Sequence, residues 1–198
     1  EMGTYANHLE KACEEYQIPI FMDHKKSILL NAFVEYLRSL LAMEEENFSY
    51  ESVFRFLRTG MSGFTREEVD RMENYVIALG LRGYSKWSDK WVRTTYEMKR
   101  KDAAEQKELD VSAQALDSLN QLRERFVKKI ETLTKVLKKR KKTVKEITIA
   151  VHEFLLQEKM QENVQEMENY FQEQGELALA KEYSQVYRIV MELFDKFV

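Results

Sequence analysis

Leu116, Leu119, Leu122, Phe126, Ile130, Leu133 and Leu137 recur every three or four residues. Only an α-helix brings such positions onto one face, because 3.6 residues complete a turn. The run demands a helix of about 25 residues, about 40 Å long at 1.5 Å of rise per residue. A helix with one long apolar stripe needs partners to cover it, and most helical stability comes from that packing. Six Gly and one Pro in 198 residues leave little material for tight turns, which excludes sandwiches, barrels and collagen-like chains. The chain therefore reads as mainly α: an irregular multi-helix bundle with at most one short N-terminal strand.

The partner helices follow from spacing and punctuation. Residues 5–16 form a short amphipathic helix with Tyr5, Leu9, Ala12 and Tyr16 on one face. Ile18-Pro19-Ile20-Phe21-Met22 reads as a strand, and Pro19 confines it to an edge or an early position. Residues 28–43 carry Leu29, Leu30, Phe33, Val34, Leu37, Leu40 and Leu41 at helical spacing, a core helix. Ser49 caps a shorter helix. Thr65-Arg66-Glu67-Glu68 and Thr143-Val144-Lys145-Glu146 are capping boxes that start two more, and Gly80 and Gly83 punctuate the end of the first. Trp87 and Trp91, four apart, anchor one helix face and read as core rather than as stacking platforms for bases. The polar stretch 99–110 is an exposed helix or a linker. Helices over 161–172 and from 176 to the end, separated by Gly175, complete the set. The chain opens on Glu1 and stops inside an apolar helical pattern, as an excised fragment would.

Catalytic patterns are absent from the sequence. The single cysteine, Cys13, excludes an internal disulfide framework and Cys-rich metal sites within this piece. The three histidines, at 8, 24 and 152, have no metal-ligand spacing. No phosphate-cradling glycine loop and no nucleophile elbow occur. No run of about 18 apolar residues is present to span a bilayer, and no signal peptide opens the chain, so a cytoplasmic location and no membrane partner are expected.

Charge is the informative feature. The net −3 divides into −5 over residues 1–122, +9 over 123–145 and −7 over 146–198. The positive segment ends in Lys138, Lys139, Arg140, Lys141 and Lys142, just before the second capping box. That puts five cations at a helix–turn–helix corner, where they also match the negative end of the preceding helix. Two readings stand. The corner binds a phosphate backbone without reading bases, because lysine-rich runs lack the bidentate fork of arginine. Alternatively it is a solvated turn, or a partner for the acidic helices at 153–176.

Several segments resemble a known family. The stretch 16–27 (YQIPIFMDHKKS), the run 52–60 (SVFRFLRTG), residues 72–83 (MENYVIALGLRG) with Lys86-Trp87 and Lys90-Trp91, and residues 182–187 (EYSQVY) are similar to AddB (RexB). AddB is one of the two chains of the bacterial AddAB (RexAB) helicase–nucleases. The resemblance is spread in order over most of the chain. It implies that residues 1–25 end a RecA-like (2A) domain and that 26–198 form a helical 2B-like insertion. The family's ATP and Mg sites, nuclease carboxylates and iron–sulfur cluster have no counterpart residues here. The resemblance thus implies a non-catalytic accessory domain in a complex that processes double-strand DNA ends for recombinational repair. Its partners would be the remainder of AddB, the companion chain AddA (RexA) and double-stranded DNA. A pure protein–protein interaction module is the alternative, and an independent enzyme would need a pocket of convergent acids with shifted pKa values.

Overall fold

The computed structural model describes residues 3–19, 27–93, 95–98, 107–110 and 113–198. Among them, nine α-helices carry the fold: α1 (Gly3–Glu15), α2 (Ala32–Glu45), α3 (Tyr50–Leu57), α4 (Arg66–Leu79), α5 (Tyr84–Ser88), α6 (Ala113–Leu137), α7 (Val144–Gln157), α8 (Met160–Glu173) and α9 (Leu177–Asp195). The mainly α class expected from the spacing is the class observed.

Local chemistry sets the boundaries. Both capping boxes form: Thr65 exchanges hydrogen bonds with Glu68, and Thr143 with Glu146. Ser49 caps α3 by accepting from the Ser52 amide. Gly80 ends α4 in the left-handed conformation, at φ 60°, a conformation that costs glycine little.

One expected start is displaced. The helix read from residue 28 begins at Ala32, because the Asn31 side chain accepts from the Phe33 amide at 3.0 Å and acts as the N-cap. Residues Ile28–Leu30 form a separate 3₁₀ turn capped by Ser27. Leu29 and Leu30, expected at core positions, are exposed, Leu30 by 97%. Of the expected N-terminal strand, Ile18 and Pro19 have no regular structure, and residues 20–22 lie outside the described ones.

A second difference falls in the polar stretch 99–110. Residues Lys107–Asp110 are a strand, β2, pairing antiparallel with β1 (Thr95–Met98) in the register Thr95↔Asp110 to Met98↔Lys107. A hairpin this short has no alternating apolar pattern to betray it, and cross-strand backbone bonds leave no mark on composition. Residues 99–106 lie outside the described ones.

Helix α6 is the spine. Its apolar stripe is buried from Leu116 to Leu137, all seven positions as the spacing requires. Helices α4, α5 and α7 pack on it, α2 packs on α3, and α8 pairs with α9. A chain of rings ties them together. Tyr36 of α2 meets Phe56 of α3 at 4.6 Å, and Phe56 meets Phe126 of α6 at 6.3 Å. Phe126 meets Trp87 of α5 edge-on at 4.9 Å, Trp87 meets Trp91 at 5.4 Å, and Trp91 stacks on Tyr75 of α4 at 4.8 Å. Both tryptophans are core, although α5 ends at Ser88 and leaves Trp91 beyond it.

A polar contact also spans α4 and α6. Glu68 accepts from Arg125 at 2.7 Å, and the Arg125 guanidinium lies 4.0 Å above the Phe64 ring. The hydrogen bond from Arg125 holds the Glu68 carboxyl below its ordinary range, helped by the Thr65 amide. A carboxyl depressed in the folded state stabilises the fold above its unfolded pKa and loses that contribution as pH falls through the folded value. Acidification from neutral into the acid range should therefore lower Tm more steeply in the wild type than in Arg125→Gln. Thermal melts of both proteins across that range check it, and parallel curves would refute the coupling.

Candidate nucleic-acid interface

The α6–α7 connection carries the five cations singled out in the sequence, and the structure gives them different surroundings. The Lys138 ammonium sits 3.6 Å from the centroid of the Tyr84 ring and 5.8 Å from that of Phe48. That is cation–π geometry, which ties the end of α6 to α5. Burial, aided by Glu131, holds the Tyr84 hydroxyl above its ordinary pKa, so the ring stays neutral beneath the cation. Lys142 folds back and donates to the Leu137 carbonyl, satisfying an orphan acceptor at the α6 C-terminus. Lys139, Arg140 and Lys141 are left on the solvent side of the turn, exposed and with no ion pair among the described residues.

The rest of the positive segment is largely spent within the fold. Arg123 is only 4% exposed and donates to the Trp87 and Ser88 carbonyls at 2.9 and 3.0 Å. It also meets Glu124 at 3.3 Å. Arg125 is taken by Glu68, Lys129 by Glu158 and Lys135 by Glu131. The acidic segment that was the alternative partner for the corner thus neutralises Lys129, further back along α6, rather than Lys138–Lys142. What faces solvent without an ion pair at this end is the turn itself, with Lys145 in the first turn of α7 donating to the Val198 carbonyl at 3.3 Å.

A second basic surface was not singled out in the sequence. Arg82, Lys86, Lys90 and Arg93 line one cleft of about 450 Å³ between the end of α4 and the α5 segment. Asp89 is the only acid among its lining residues. The signal was available as the four-residue spacing of Arg82, Lys86 and Lys90, but the two tryptophans among them point to core packing. Both statements hold: the rings are buried and the cations exposed.

Among the described residues, no group of three or more His, Cys, Asp and Glu is placed to hold a metal ion, and no helix is long and apolar enough to cross a membrane.

Fold and surface together define a class: a mainly α-helical segment that concentrates positive charge on solvent-facing turns. Its relatives are specific, and all are B subunits of an ATP-dependent helicase/deoxyribonuclease. The chain is 37% identical to that of Lachnoclostridium phytofermentans, over 100% of this chain and 16% of that protein. It is 36% identical to that of Clostridium acetobutylicum over 100% of this chain and 17% of that protein. For the Acetivibrio thermocellus protein the identity is 37%, over 98% of this chain and 16% of that protein. The chain is thus similar along its whole length to a segment of helicase/deoxyribonuclease B subunits, as the resemblance to AddB implied. It spans about one sixth of the length of these relatives. No family model matches it.

Proposed function

We propose that the chain is a non-catalytic helical accessory domain of AddB, the B subunit of a helicase–nuclease, in the cytoplasm, working on double-strand DNA ends in recombinational repair. In this reading residues 1–25 finish a RecA-like 2A domain, and 26–198 are the 2B-like insertion. ATP, Mg, the iron–sulfur cluster and the nuclease carboxylates belong to other parts of the parent. The observation that carries the DNA reading is the α6–α7 turn, where Lys139, Arg140 and Lys141 stand adjacent, exposed and without ion pairs among the described residues. Cations so placed neutralise phosphates, release counterions and bind without base selectivity. Lys138 and Lys142 belong to the same patch, but they mainly hold the turn in shape.

The test is fluorescence anisotropy of the chain with a blunt duplex across a salt series. Three phosphates neutralised at the turn give a log–log slope of about −3, since each contributes about −0.9 on duplex DNA. The double charge reversal Lys139→Glu and Lys141→Glu should weaken binding at least tenfold at low salt and flatten that slope by about two units. Unchanged affinity and slope would refute the DNA contact.

That outcome would favour the second reading, a docking module for the rest of AddB or for AddA. The exposed apolar side chains Tyr5, Leu9, Tyr16 and Ile18, together with Leu29 and Leu30, support it. Such residues, gathered at one end of a chain, mark protein contact surfaces.

A further inference from the structure

The cleft beside α5 has a composition that the packing of the core does not require. Arg82, Lys86, Lys90 and Arg93 gather there within twelve residues, all exposed. None has an ion pair among the described residues, and Asp89 alone offsets them. Four like charges converging on one concavity repel one another, and a bound polyanion removes that cost. The walls are not polar throughout. Leu79, Leu81 and Val92 contribute apolar surface, and Val92 is 72% exposed. The floor is rigid. Tyr75 and Trp91 stack at 4.8 Å, Tyr75 donates its hydroxyl proton to the Arg93 carbonyl at 3.1 Å, and the Trp91 indole donates to the Lys86 carbonyl at 2.9 Å. Two of the four cations are therefore carried on backbone that the floor itself pins.

We infer that this cleft holds an unpaired nucleotide of a DNA strand, its flanking phosphates on Arg82, Lys86, Lys90 and Arg93 and its base against Leu81 and Val92. The volume of about 450 Å³ suits a small-molecule-sized unit. A duplex offers mainly phosphates to such a surface, since its bases are stacked inside. An unpaired strand offers phosphates and a free base together, and the cleft presents a complement to each. The inference shares with the proposed function the premise that the chain meets DNA. It differs in the residues and in the form of DNA, so the two can fail separately.

The experiment compares three probes by anisotropy: a blunt duplex, the same duplex with an unpaired tail of about ten nucleotides, within a usual single-strand footprint, and poly-glutamate. The tailed duplex should bind about tenfold more tightly than the blunt one, one seated base being worth enough for that. The pair Lys86→Ala and Lys90→Ala should abolish the advantage of the tail and leave blunt-duplex binding at the α6–α7 turn intact. For an isolated single strand it should flatten the salt slope by about 1.4 units, at about 0.7 per phosphate. The Lys139→Glu and Lys141→Glu protein should lose blunt-duplex binding and keep the advantage of the tail. Equal affinity for blunt and tailed probes would overturn the inference. So would a Lys86/Lys90 variant that keeps the difference, or poly-glutamate that displaces the single strand at equal charge concentration. Should circular dichroism show that the alanine pair has lost its helices, Arg82→Gln and Arg93→Gln are read by the same criteria.

Discussion

Phe126→Ala is expected to lower the free energy of unfolding by about 3–5 kcal/mol, the usual cost of deleting a fully enclosed phenylalanine. Phe126 has no exposed surface and lies midway along α6. Its ring meets Trp87 of α5 edge-on at 4.9 Å and Phe56 of α3 at 6.3 Å. Removing it takes away apolar burial and the facing atoms of two rings on separate elements. The helices around it are also held by other contacts, so the space closes only in part. Urea unfolding followed by far-ultraviolet circular dichroism gives the loss as a shift in midpoint at constant slope. A loss under about 1 kcal/mol would mean that the site collapses freely and that Phe126 does not hold the ring chain together.

The second large effect is polar. Asn120 is buried on α6 and serves the backbone of Trp91 from both sides. Its amide nitrogen donates to the Trp91 carbonyl at 2.8 Å, and its oxygen accepts from the Trp91 amide at 2.9 Å. The same oxygen accepts from the Arg123 Nε at 3.1 Å, while Arg123 reaches on to the Trp87 and Ser88 carbonyls. One amide side chain thus stands in for the regular partner that the non-helical segment after α5 lacks. Asn120→Ala leaves an amide, a carbonyl and part of a guanidinium buried without partners, and should cost about 2–4 kcal/mol. Asn120→Leu, close in size, should cost as much, which separates lost hydrogen bonds from lost volume. If leucine restored wild-type stability, the latch would be packing rather than hydrogen bonding.

The two sites differ in how plainly the sequence announces them. Phe126 falls on a seven-position apolar stripe that is legible by counting residues. Asn120 sits one residue beyond Leu119 in a helix full of polar residues, and nothing in its neighbourhood says that it is buried. Its partner is 29 residues away. The same distinction explains the displaced start of α2. Leu29 and Leu30 fit the helical period, and only the Asn31 cap, one residue on, moves the boundary past them. It explains the hairpin too, where Lys107–Asp110 is a strand because Thr95–Met98 lies alongside, not because of its own composition.

By itself the sequence determined the helices, their capping boxes and the apolar face of α6, because these depend on interactions within about four residues. It also determined that a strongly positive segment precedes residue 146. Only the tertiary structure decided which of those cations are left to meet a partner. Arg125 is matched by Glu68, 57 residues away, and Lys129 by Glu158, 29 away, while Arg123 is drawn inside against α5. The same packing turned the Lys138 ammonium onto Tyr84 and collected Arg82, Lys86, Lys90 and Arg93 around one cleft. Charge availability is a matter of distances through space, and the order of residues along a chain does not contain those distances.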